Sequence, residues 1–112
     1  MVTAETAVVL PVLLLVLAGA VAAVTVVGAQ LRCVDAAREG ARAAARGEPA
    51  AVVETVISRA APDGATSVVS LGAEQVTVTV SARIALLGPL PLVITVSAEA
   101  VAIREPALGA TG

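Results

Sequence analysis

The run TAVVLPVLLLVLAGAVAAVTVVGAQL, residues 6–31, contains no charged side chain between Glu5 and Arg32. At about 1.5 Å per residue, some 24 helical residues reach about 36 Å, enough to cross a bilayer core of about 30 Å. A chain of 112 residues is too small to wrap protein around an all-round apolar helix of that length. The stretch therefore predicts a membrane-spanning helix. Pro11 falls in its first turns, where a missing amide hydrogen costs little if the helix starts nearby. A cleaved secretory signal is the competing reading, with Val27-Gly28-Ala29 before Gln30 as the small-residue site. The acid at Glu5, the lack of a basic stretch ahead of it, and an overlong apolar run argue against cleavage.

Past the run the pattern stays helical. Arg38, Arg42 and Arg46 recur every fourth residue, with Asp35 and Glu39 spaced to pair with them, among helix-forming alanines. Gly47 followed by Pro49 is a stop signal. Span and extension together predict one rod of about 40 residues, about 60 Å long. Between Pro49 and Pro62, Val52, Val53, Val56, Ile57 and Ala60 sit at helical spacing, and Pro62-Asp63-Gly64 closes a short second helix.

The period then changes to two. Residues 66–71 read as a short strand and residues 72–74 as a turn. Val76, Val78, Val80, Ala82, Ile84 and Leu86 alternate with Thr77, Thr79, Ser81 and Arg83, as a half-buried strand does. Gly88-Pro89-Leu90-Pro91 forces a reversal, and Leu92, Ile94, Val96 and Ala98 begin a third strand running to about Ile103. Pairing Arg83 with Glu99 keeps both apolar rows on one face, and that register is expected. Residues 84–98 are uncharged but too short and too broken by proline to be a second span.

The fold expected is α+β: a long N-terminal helix, a short second helix and a small three-stranded antiparallel sheet. The organisation expected is a transmembrane helix at 1–31, an amphipathic extension at 32–48, a small head at 49–108 and a tail at 109–112. Composition narrows the function classes. The chain is 58% hydrophobic, with one cysteine and no histidine or aromatic residue. Histidine-dependent catalytic groupings and zinc sites are excluded, and so are aromatic stacking platforms for nucleic acid. A net charge of −2 offers no basic footprint for duplex DNA. No catalytic residue, cofactor, metal or nucleic-acid partner is expected.

Glu5-Thr6-Ala7, followed by apolar residues to Pro11, resembles the glutamate, alanine and proline signature at the start of TadE-like minor pilins. These belong to the tight-adherence (Flp) type IV pilus systems. Ala37-Arg38-Glu39-Gly40-Ala41-Arg42 is similar to the alanine-arginine-x-glycine-alanine-arginine stretch that follows the membrane helix in that family. The family also ends in a small β-rich region. The resemblance implies a membrane-inserted pseudopilin whose partners are lipid, other pilin subunits, the Tad pilus assembly machinery and a prepilin peptidase. It implies that Glu5 serves near the processed N-terminus and that Pro11 bends the early helix; either a leader ending in glycine lies upstream of Met1 for the peptidase to remove, or the chain is not processed.

Physical arguments stand beside the resemblance. A carboxylate at the edge of a hydrocarbon span is costly and calls for a partner, such as the N-terminal ammonium of a neighbouring subunit. Ala18, Ala22, Thr25 and Ala29 form a small-residue stripe along which helices can approach closely. Arg32, Arg38, Arg42 and Arg46 all follow the span, which by the positive-inside rule favours a cytoplasmic C-terminal part. A pilin needs the reverse orientation, and a basic leader would balance these arginines. Cys33, just past the span, is the natural chemical reporter of that orientation. Two alternatives share these features: a single-span accessory or scaffold protein outside the pilus, and a secreted β-rich product cut near Ala29.

Overall fold

From Val2 onward no glycine pair or turn signal breaks the helical pattern until Gly47, and the backbone follows it. In the computed structural model of the chain, which describes residues 2–86 and 91–104, helix α1 (Val2–Ala45) is 44 residues long. That is about 66 Å of rod. Because α1 begins at Val2, Pro11 lies well inside it and not in its opening turn. Its missing N–H takes the usual i→i−4 partner from the Ala7 carbonyl, yet the helix continues through it. At the other end Gly47 adopts φ +82, a left-handed conformation that a β-carbon would strain. The Glu48 amide then reaches Ala43 O at 3.2 Å and the Gly47 amide reaches Ala44 O at 3.0 Å. These two bonds satisfy carbonyls that the helix end would otherwise orphan.

Helix α2 (Ala50–Ala60) starts directly after Pro49 and turns Val53 and Ile57 inward against α1. Arg32 fastens its far end, donating from Nη2 to Ala61 O at 2.9 Å. A cation at a helix C-terminus also meets the negative end of the helix dipole.

Strands β1 (Thr66–Leu71), β2 (Gln75–Ala85) and β3 (Val93–Ile103) form an antiparallel sheet in the order β1-β2-β3. The central strand behaves as its alternation requires: Val76, Val78, Val80 and Ala82 are buried beneath the helices, while Thr77, Thr79, Ser81 and Arg83 face away. Strand β1 is exposed along its whole length. An open groove of about 420 Å³, walled by Ala44, Val53, Val69 and Leu71, separates it from α2.

The β2–β3 register differs from the one expected. Arg83 faces Thr95, and Glu99 faces Thr79. Setting Arg83 opposite Glu99 would slide β3 by four residues, placing Pro106 across from Val76 and Ala100 across from Ala82. The proline has no N–H for the ladder, and two facing alanines leave a void. The observed register sets Val76, Val78 and Val80 opposite Ala102, Ala100 and Ala98, and Ala82 opposite Val96. Large faces small at these four steps, so this part of the sheet presents an even surface to α1. One ion pair across the strands contributes too little to compete with that.

The same weakness explains a second departure. Asp35 and Glu39 make no ion pair with Arg38 or Arg42; among the described residues the salt bridge formed is Arg46–Glu48, at 4.0 Å. All four side chains stand in water on the outer face of α1, where holding two long side chains together gains almost nothing.

The molecule measures 83 × 21 × 17 Å. A strand of 11 residues such as β2 is about 36 Å long and fits only if it lies along the helix axis. The head is therefore a sleeve on the C-terminal half of α1.

Candidate assembly surface on the long helix

Helix α1 changes character part-way along. Its N-terminal half carries Val8, Val9, Leu10, Val12 and the leucines from Leu13 to Leu17, all exposed. No part of its most apolar window is buried within the chain. Its C-terminal half turns Cys33, Ala36, Ala37, Ala41, Ala43, Ala44 and Ala45 into the core shared with α2, β2 and β3. The crossover lies near Val26, which packs against that core, and Gln30, whose Nε2 donates to Ser97 O at 2.8 Å.

Glu5 sits exposed in the first turn of α1, where the helix dipole favours a negative charge. Pro11 is exposed two turns further on. Ala18, Ala22 and Thr25 are half-buried, unlike the exposed Ala20 and Ala23 of the same helix, and the Thr25 hydroxyl donates to Val21 O at 2.9 Å. That bond satisfies it without a partner chain, as a hydroxyl in an apolar segment must be. Ala29 is 8% exposed and belongs to the core of the head. The stripe runs along one face of α1, so Ala18, Ala22 and Thr25 continue toward the membrane end the same face on which Ala29 packs into the head.

In the second motif Ala37 and Ala41 are buried while Arg38 and Arg42 point to solvent. Gly40 between them faces both α2 and the sheet. A β-carbon there would lie 2.5 Å from Ile57 Cγ1, 2.7 Å from Ile57 Cδ1 and 3.4 Å from Val78 Cγ1. The Arg32–Ala61 and Gln30–Ser97 bonds, which join the helix to the head, are absent from the sequence reading. Each links residues far apart in the chain, and no local pattern announces such a pair.

Cys33 is fully buried, which corrects its proposed use as an orientation label. Burial pushes the thiol above its ordinary range, and the positive charge of Arg32 only partly opposes this. The folded state thus favours the neutral thiol. Its contribution to stability is complete below the ordinary thiol range and declines as pH rises through the raised value. A disulfide reagent is expected to titrate one thiol per chain after denaturation and almost none before. Rapid reaction of the folded protein would mean that α1 does not lie on the sheet at this level.

Residues 1–42 match the family of TadE-like proteins. Over 102 residues the chain is 40% identical to the apoptosis inhibitor Rv3655c of Mycobacterium tuberculosis (strain ATCC 25618 / H37Rv), covering 91% of this chain and 78% of that protein. No solved structure matches.

Proposed function

Because this chain belongs to the TadE-like family, we propose that it is a membrane-anchored minor pilin whose head stands outside the cytoplasmic membrane and which enters a Tad (Flp) pilus. The observation that carries the reading is the division of α1. Half of it is a largely exposed apolar rod with one carboxylate at its start, and half is the spine of a small head. An exposed apolar surface of that length needs lipid or other apolar helices around it. A bilayer supplies the first before assembly, and the packed rods of neighbouring subunits supply the second in a filament. The exposed valines and leucines of the span form the surface along which those rods approach, and Glu5 meets a neighbour's N-terminal ammonium.

The packing also supports an uncut helix. Removal of the chain up to Ala29 would strip Val26 and Ala29 from the head's core and free the N-terminal end of its spine. That weighs against the secreted product, which would lose part of what holds its sheet.

Orientation and assembly are tested together. Ser70 lies exposed on β1, away from the membrane end of the sheet. In cells expressing the Ser70→Cys chain, a membrane-impermeant maleimide is expected to label the head without permeabilisation, and sheared pili are expected to contain the labelled chain. Labelling only after permeabilisation defeats the pilin reading. Labelled chains confined to the membrane fraction favour an accessory protein outside the pilus.

The 40% identity to a protein named as an apoptosis inhibitor supports a second reading, that the exposed head has the activity this name states. It separates from the first through Glu5→Ala, which would leave such an activity unchanged while removing the chain from pili.

A further inference from the structure

The end of the sheet nearest the membrane helix is greasy in a way the head's core does not explain. Leu92, Val93 and Ile94 are 48%, 49% and 38% exposed. They lie within residues 84–98, bounded by Arg83 and Glu99, in which no side chain is charged.

Two contacts fix where that end lies. Gly40 stands beside Val78, which pairs with Ala100. Ten residues toward the N-terminus, Gln30 bonds Ser97, which pairs with Ser81. Moving back along α1 therefore moves back along β3, toward Val93. From Ser97 to Leu92 is about 16 Å of strand. The same distance back from Gln30 is about 11 helical residues, to the level of Gly19. The narrow cross-section of the molecule leaves the strands no other direction. Leu92, Val93 and Ile94 thus stand beside the uncharged run of α1, past the last charge at Arg32.

We propose that this end of the β2–β3 ladder is seated in the bilayer interface next to the span, a second membrane contact made by the head. The inference rests on the membrane-anchored reading of α1. Lipid is the occupant because the surface is continuous with the span and lies on its side of Arg32. The depth is limited by the backbone. A hydrocarbon core of about 30 Å takes about 20 helical residues after Glu5, so the level of Gly19 is about 10 Å inside its head-side boundary and short of the centre. Among the described residues the outer edge of β3 has no neighbouring strand for its N–H and C=O groups, so it can enter the wet headgroup and upper acyl layer but not the hydrocarbon centre. The contact holds the head at a fixed height and rotation on its rod, which a lone helix crossing would leave free.

The test uses the full-length chain with Cys33→Ala, reconstituted at high dilution in phosphatidylcholine–phosphatidylglycerol vesicles. A bimane probe is attached in turn at Val93→Cys, at Leu14→Cys in the span and at Ser70→Cys on the far part of the sheet. Circular dichroism checks that each chain folds. Nitroxide lipids labelled near the headgroup are expected to quench Val93 several-fold more than those labelled at the chain end. Leu14 should show the opposite preference, and Ser70 no quenching. An unquenched Val93 beside a quenched Leu14 overturns the inference and leaves the anchor intact. Blue-shifted emission at Val93 without quenching overturns it as well, since a neighbouring chain would then be the cover. An unquenched Leu14 removes the anchor, and the inference with it.

Discussion

Gly40→Val is expected to abolish the folded head while leaving the apolar half of α1 inserted in the membrane. The clash is direct: even a single β-carbon lies 2.5 Å from Ile57 Cγ1. Ile57 is itself buried, with α1 on one side and the sheet nearby, so it has little room to withdraw. Overpacking a filled core costs about 1–3 kcal/mol, and valine adds two further methyl groups at the tightest point. A small domain has only about 5–15 kcal/mol in hand, and a core built mostly from alanine and valine without an aromatic ring lies toward the lower end. Gly40→Ala separates strain from helix propensity. It recovers about 1 kcal/mol by replacing glycine inside a helix, which offsets part of the clash and leaves a modest net loss. Ile57→Val removes Cδ1 but keeps Cγ1, so Gly40→Ala with Ile57→Val should recover only part of that loss. Limited proteolysis and urea titration in detergent measure all three. If Gly40→Val resists protease as the native chain does, α2 does not close on α1 at this position.

The elements were legible because this chain punctuates them strongly. Pro49 and Pro62 bracket α2, Gly47 ends α1, and the alternation from Val76 onward leaves no doubt about which face of β2 is inside. Register was not legible. A favourable charge pair points to Arg83 opposite Glu99, whereas the pairing is decided by how valines and alanines of two strands sum to an even layer beneath a helix. That constraint is three-dimensional and involves α1, whose alanines occupy the core. From sequence those alanines read only as helix formers, because abundance hides which of them are packed. Gly40 belonged to a quoted motif, but its reason, the approach of Ile57, lies 17 residues away in sequence. The outer surface of the rod was the reverse case. A charge-free run needs no partner to be recognised, and Glu5 stands out because charges are so scarce around it.

Glu5→Ala is expected to remove the chain from assembled pili by about a hundredfold or more, with membrane insertion and the head unchanged. Among the described residues Glu5 has no hydrogen bond or ion pair within the chain, so its deletion breaks nothing in the monomer. In a bilayer the first turn of α1 sits where headgroups and water solvate a carboxylate. In a filament the same turn is surrounded by the apolar rods of neighbours, and that solvation is lost. A carboxylate moved into such a place without a partner is expelled at a cost of several kcal/mol. Paired with a neighbour's ammonium, it instead fixes how far one rod slides along the next. Removing one member of a buried pair costs about 3–5 kcal/mol, which at about 1.4 kcal/mol per tenfold gives the expected loss. Glu5→Gln keeps the shape and loses the charge, so it should fail nearly as badly. Glu5→Asp keeps the charge on a shorter stem and should recover part of the native level. Quantitative immunoblots of sheared pili against membrane fractions, with the Ser70→Cys label reporting an intact external head, give the ratio. Native levels of Glu5→Ala chains in pili would show that subunit register is set by packing of the apolar rods alone, with no charge involved.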